Sequence, residues 1–82
     1  MPRVQSVSSQ VRDFTGGLDA FDVEATTVRG LIRELDARFP GLGELVEDKM
    51  AIAIDGEIHQ DALGATFHQA SEIVLIPKIS GG

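Results

Sequence analysis

From Val28 to Phe39 the apolar residues Val28, Leu31, Ile32, Leu35 and Phe39 recur at intervals of three and four, the spacing that lines one face of a helix. Thr26 and Thr27 stand ahead of it as N-cap candidates. Pro40 disfavours helical geometry at Phe39, and Gly41 and Gly43 continue the break, so the helix ends near Arg38 or Phe39. Arg29, Arg33, Asp36 and Arg38 fall on the other face and read as solvated, with Glu34 and Arg38 forming an i,i+4 ion pair. Gly30 inside the helix reads as a tolerated glycine with no special contact. This is the firmest helical pattern in the chain, and the remaining apolar runs are short enough to be strands that find their cover on it.

Those runs begin with Val4, Val7 and Val11, spaced through a serine-rich stretch that reads as a first strand. Phe14-Thr15-Gly16-Gly17 supplies turn residues and Leu18 to Val23 alternates, which together predict an opening hairpin. After the helix, Leu42 to Val46 has room for one helical turn. Met50 to Ile54 alternates large and small apolar residues, Asp55-Gly56 is a two-residue hairpin signal, and Glu57 to His59 pairs back. A polar linker around Leu63 and Phe67 leads to Ile73-Val74-Leu75-Ile76, apolar on both faces and therefore expected to be the innermost strand. Strand, strand, helix, strand, short strand, strand predicts an α+β fold: a mixed sheet of four to five strands with one main helix across one face.

The 82 residues hold one domain, 1–82, with a modest core and little space for an enclosed substrate pocket. Seven basic against thirteen acidic residues leave a net charge of -6, which argues against nucleic acid or an anionic membrane as the main partner and favours a basic protein surface. The longest apolar run is too short to span a bilayer and the amino terminus lacks a basic segment followed by an apolar one, so a cytoplasmic location is expected. With no cysteine, the chain offers neither a disulfide framework nor a thiolate for catalysis or metal binding.

The chemistry is expected at the carboxyl end. The last strand runs on through Lys78-Ile79-Ser80 into Gly81-Gly82, a flexible tail over 78–82 with nothing after the second glycine. At an average glycine usage of about 7%, two terminal glycines arise by chance in roughly half a per cent of chains. A chain end without Cβ atoms can thread a narrow channel in another protein. The α-carboxylate of Gly82, ionised at neutral pH, can attack the α-phosphate of ATP and form an acyl-adenylate. Sulfide or a persulfide would convert that anhydride to a thiocarboxylate, and an amine would convert it to an amide. No Gly-rich phosphate loop stands between a strand and a helix here, so ATP must be handled by a separate enzyme and this chain is a substrate of catalysis.

With the terminal Gly-Gly, the strand Ile73 to Pro77, the helix ending in Phe39-Pro40-Gly41-Leu42, and Ile54-Asp55-Gly56-Glu57, nearly the whole chain resembles the ubiquitin-like sulfur-carrier family. That family includes the small subunit of molybdopterin synthase and the thiamine-pathway carrier. The resemblance implies a β-grasp fold and adenylation of Gly82 by a ubiquitin-activating-type enzyme. It further implies thiocarboxylate formation and delivery of sulfur to a precursor held by a sulfur-accepting synthase subunit. Gly81 and Ser80 would give access, and Lys78 and Ile79 could contact the partner. Ala70-Ser71-Glu72 stands where such carriers often have Gly-Asp, and the serine-rich first strand departs from the molybdopterin type. Arg12 and Phe14-Thr15-Gly16-Gly17 resemble carriers of a cysteine-synthesis route, which ranks beside the molybdopterin one. The alternatives are a protein modifier joined through Gly82 to lysines, and a noncatalytic interaction module.

His59 and His68 have no ligand-spacing motif and read as structural or surface residues, so no metal is expected. Glu44, Glu47 and Asp48 read as a solvated loop with some prospect of touching a basic partner. Lys78 could equally meet an acidic groove on an enzyme or be a solubilising charge at a strand end. Leu63 and Phe67 read as core.

Overall fold

A computed structural model describes residues 1–6, 8–59 and 64–78. In chain order the elements are β1 (Arg3–Ser6), α1 (Ser9–Thr15), β2 (Ala20–Asp22), α2 (Val28–Arg38), α3 (Leu42–Lys49), β3 (Met50–Ile54), β4 (Glu57–His59) and β5 (Glu72–Pro77). The strands form one mixed sheet in the order β2-β1-β5-β3-β4. β5 is central as expected, parallel to β1 and antiparallel to β3.

The core lies between one face of this sheet and the helices. Val4, Phe21, Ile52, Ile54, Ile73 and Leu75 from the strands meet Val11 of α1, Leu31 and Leu35 of α2, and Leu42 and Val46 of α3. Phe67 joins them, and Leu63 lies outside the described residues. β5 has only one fully covered face, since Val74 and Ile76 on the other are half-buried.

Two elements differ from expectation. The first strand stops at Ser6, and the chain then makes α1 instead of turning directly into β2. β1 and β2 do pair antiparallel, Val4 opposite Phe21, but a helix joins them where a tight hairpin was expected. The serines that looked like strand residues are a start signal: Ser8 Oγ accepts the Gln10 N–H at 3.2 Å. Gly16, at φ 73°, ends the helix in left-handed geometry.

The second is α3, two turns where one was expected, so Glu44, Glu47 and Asp48 stand on a helix and not in a loop. Gly41 at its N-cap has no side chain to cap it, and α2 provides one across the gap. Asp36 Oδ1 accepts the N–H groups of Gly41 at 3.1 Å and Gly43 at 3.2 Å. Asp36 is therefore a capping residue, not only a solvated charge. A Cβ on Gly43 would stand 2.6 Å from Asp36 Cβ and 2.7 Å from the Ile32 carbonyl oxygen, so only glycine lets α2 and α3 approach this closely.

Other charges on α2 also have partners. Glu34 accepts the N–H groups of Glu24 and Ala25 at 3.0 Å and lies 3.5 Å from Arg38, confirming the i,i+4 pair. The Arg38 guanidinium stands 5.3 Å from the Phe21 ring centre and 5.4 Å from that of Phe39, and it donates to the Asp22 carbonyl at 2.7 Å. It thereby covers an outward carbonyl of edge strand β2. Gly30 does sit in a close contact: its N–H donates to Thr27 Oγ1, the helix cap, at 3.0 Å, and a Cβ there would stand 3.0 Å from that oxygen.

Candidate functional site

The site predicted from sequence hangs from the end of β5. Ile79, Ser80, Gly81 and Gly82 lie outside the described residues, and the structure therefore bears on the root from which they extend. That root is built by β5, its neighbour β3, and α3, which runs directly into β3. Pro77 pairs with Met50 and Ile76 with Ala51. The Lys78 N–H donates to the Lys49 carbonyl at 2.8 Å, extending the ladder one residue past β5. Hydrogen-bonded pairs alternate along an antiparallel ladder, so Pro77, which lacks an N–H, falls at the position where none is directed at β3.

Lys78 is half-buried, and its ammonium stands 3.4 Å from the Glu47 carbonyl oxygen near the end of α3. A cation there meets the negative end of the helix dipole. Its contact within the described residues is thus to its own chain.

At the other end of β5 the Asp55 carboxylate clasps the strand's start. Asp55, at φ 49°, and Gly56, at φ 87°, form the two-residue turn between β3 and β4 with the paired positive φ values that such hairpins use. Asp55 Oδ1 accepts the Glu72 N–H at 2.9 Å and Oδ2 accepts the Ser71 hydroxyl at 2.8 Å. The Glu72 bond, then the Ser71 bond, hold the Asp55 carboxyl below its ordinary range, and His68 adds a smaller electrostatic contribution. His68 belongs to this corner through its backbone, whose N–H donates to Ser71 Oγ at 2.8 Å. Among the described residues no three histidine or carboxylate groups converge as a metal site would require.

The face of the sheet away from the helices carries the feature that the sequence reading did not single out. Ala51 and Ala53 of β3 lie opposite Ile76 and Val74 of β5, and Ile58 of β4 lies opposite Ala53. Ile58 is 61% exposed. Together they make an apolar strip that follows β5 toward the tail root. A shallow hollow beside it is lined by Gln5, Ser6, Arg12, Asp19, Ala20 and Val74, with Arg12 and Asp19 paired at 3.5 Å on its rim. The signal was present in the alternation of large and small residues from Met50 to Ile54, but assigning the strip required the pairing register.

A five-stranded mixed sheet with its helices on one face, and a central last strand leading to a diglycine, defines a ubiquitin-like β-grasp domain. Solved structures agree. CysO of Mycobacterium tuberculosis superposes with a TM-score of 0.83 at 18% identity, over 96% of this chain and 100% of that one. CysO from the Amycolatopsis orientalis BexX/CysO complex gives 0.82 at 20% identity, covering both chains in full. Small archaeal modifier protein 1 of Haloferax volcanii gives 0.70 at 23%, over 99% of this chain and 98% of that one. None of the curated proteins matches the chain in sequence. The sequence profile of the ThiS family matches residues 6–82, and the chain belongs to that family. The resemblance to ubiquitin-like sulfur carriers is thereby borne out.

Among the described residues no helix is long and apolar enough to cross a membrane.

Proposed function

We propose that this protein is a sulfur carrier whose Gly82 carboxylate is activated and thiolated by partner enzymes. The observation that carries the reading is membership of the ThiS family over a match that runs through Gly81 and Gly82. In the first step a carboxylate oxygen of Gly82 attacks the α-phosphorus of ATP on an adenylating enzyme of the ubiquitin-activating type, and pyrophosphate leaves. In the second, hydrosulfide attacks the acyl carbon of the mixed anhydride, AMP leaves, and a thiocarboxylate remains. A persulfide sulfur gives instead an acyl disulfide that a thiol then reduces. The thiocarboxylate sulfur passes to a precursor held by a synthase subunit, in a route of the molybdopterin, cysteine or thiamine type. The chain acts throughout as co-substrate, ATP being bound by the activating enzyme.

The apolar strip of exposed Ile58 and half-buried Val74 and Ile76, floored by the buried Ala51 and Ala53, is the surface best placed to seat that adenylating enzyme. It is continuous with the strand that carries the tail, so docking there delivers the carboxylate without rearranging the domain. That CysO has been crystallised in a complex with BexX supports action through a protein partner.

Incubation with ATP, the cognate activating enzyme and a sulfur donor, followed by intact-mass measurement, is the test. Exchange of one carboxylate oxygen for sulfur is expected. An unchanged mass, under conditions in which an established carrier reacts, refutes the proposal. The second reading, a protein modifier, is favoured by the shared fold of small archaeal modifier protein 1. It predicts higher-mass conjugates that disappear when Gly82 is deleted.

A further inference from the structure

We infer that Lys78 is a positioning residue that aims the tail, holding its root against the end of α3 by two points at once. The inference rests on the carrier reading for its purpose, but the hold itself is a property of the free protein. The backbone point is the 2.8 Å bond from the Lys78 N–H to the Lys49 carbonyl, and the side-chain point is the ammonium 3.4 Å from the Glu47 carbonyl. Glu47 and Lys49 both belong to the last turn of α3, so the two contacts tie one residue to one rigid element. A single ladder bond at a strand end frays readily. Pro77, immediately before it, donates nothing, and without the ammonium the hold beyond Ile76 would, among the described residues, be one hydrogen bond.

The side chain is half-buried, which for a lysine near a chain end indicates a stem laid on the protein with the charged head at the helix terminus. An amine free to search for a partner enzyme's carboxylates would project into solvent.

The hold sets a reach. Four residues, 79 to 82, separate Lys78 from the reacting carboxylate, and an extended chain of that length spans at most about 14 Å. The adenylating site must then open within that distance of the α3 terminus. Fixing the root lowers the number of directions in which the tail must be searched, a saving that appears at the reacting step and not in docking of the domain.

Two measurements on Lys78→Met and Lys78→Arg test this. In the free protein, hydrogen exchange at the residue 78 amide, corrected for intrinsic rate, is expected to quicken about two- to fivefold in K78M, the factor that a cation at a half-exposed helix end supplies, and to stay near wild type in K78R. The Leu75 amide should be unchanged in both. In ATP–pyrophosphate exchange with the cognate activating enzyme, K78M should lower kcat with KM unchanged, and K78R should restore it. Equal residue 78 protection in K78M and wild type overturns the hold. A raised KM at unchanged kcat overturns the positioning role and makes Lys78 a partner contact. Absence of turnover in wild type sinks the carrier reading and with it the tail's purpose, while the exchange data on the free protein still decide whether the hold exists.

Discussion

Replacing Gly43 with alanine puts a methyl carbon 2.6 Å from Asp36 Cβ and 2.7 Å from the Ile32 carbonyl oxygen. Neither neighbour is the far end of a flexible side chain. One is backbone and the other is bonded directly to it, so relief requires α2 and α3 to part. Overpacking of this kind costs about 1–3 kcal/mol. Separation also lengthens the bonds by which Asp36 caps α3, whose loss costs about 0.5–2 kcal/mol. Alanine's better helix propensity returns at most about 1 kcal/mol, and less in a first turn. The expected net effect is about 2 kcal/mol of destabilisation, which for a domain of this size lowers Tm by roughly 8–16 °C. Urea and thermal unfolding followed by circular dichroism measure it directly, with Gly64→Ala as control because a Cβ there meets nothing within 4 Å. In an Asp36→Ala background the capping share of the loss is already spent, so the second substitution should cost less than it does alone. A Gly43→Ala protein as stable as wild type would refute the reasoning, since the close approach of the helices would then exert no constraint.

Asp55 gives a pH dependence whose sign follows from its bonds. Its carboxyl is held below the ordinary aspartate range by the Glu72 and Ser71 bonds, so the clasp contributes stability that is present above the unfolded-state pKa and is lost as pH falls through the lower folded-state value. Urea midpoints should drop below about pH 3.8, and Asp55→Asn should flatten that limb of the profile. Arg38→Met keeps a long apolar stem but removes the guanidinium from Phe21, Phe39 and the Asp22 carbonyl; a loss of about 0.5–1.5 kcal/mol is expected by urea titration. Ile58→Asp, at an exposed position, should change stability by less than about 0.5 kcal/mol while raising KM for the activating enzyme about tenfold or more, measured by pyrophosphate exchange.

The features legible in the sequence were those whose cause is local. α2 announces itself through its apolar period, its Thr27 cap and Pro40, and it runs from Val28 to Arg38 as read. Asp55-Gly56 needs only its own backbone preferences to make its turn. The missed elements have weaker or distant causes. α1 buries just Val11 and Thr15, too little for a period to stand out. α3 begins at glycines, and its cap is Asp36, which belongs to another helix.

The same division runs through the site. The expectation of an activated Gly82 carboxylate comes from the last two residues alone, since the access that glycine gives depends only on its own backbone. What surrounds the tail root depends on register. Alternation from Met50 to Ile54 says that Met50, Ile52 and Ile54 share one face and Ala51 and Ala53 the other, whichever strand lies alongside. Only the pairing of Ala51 with Ile76 brings the small residues beside β5's half-buried valine and isoleucine, and that same pairing places Lys78 opposite Lys49. The Asp55 clasp on Ser71 and Glu72 pins this register at the far end of the strand. A slip by one residue would break the clasp, turn the core residues of β5 outward, and carry Lys78 away from the α3 terminus. The corner at Asp55 and the hold on Lys78 are therefore two ends of one constraint, so Asp55→Asn should also quicken hydrogen exchange at the residue 78 amide, although β5 lies between them.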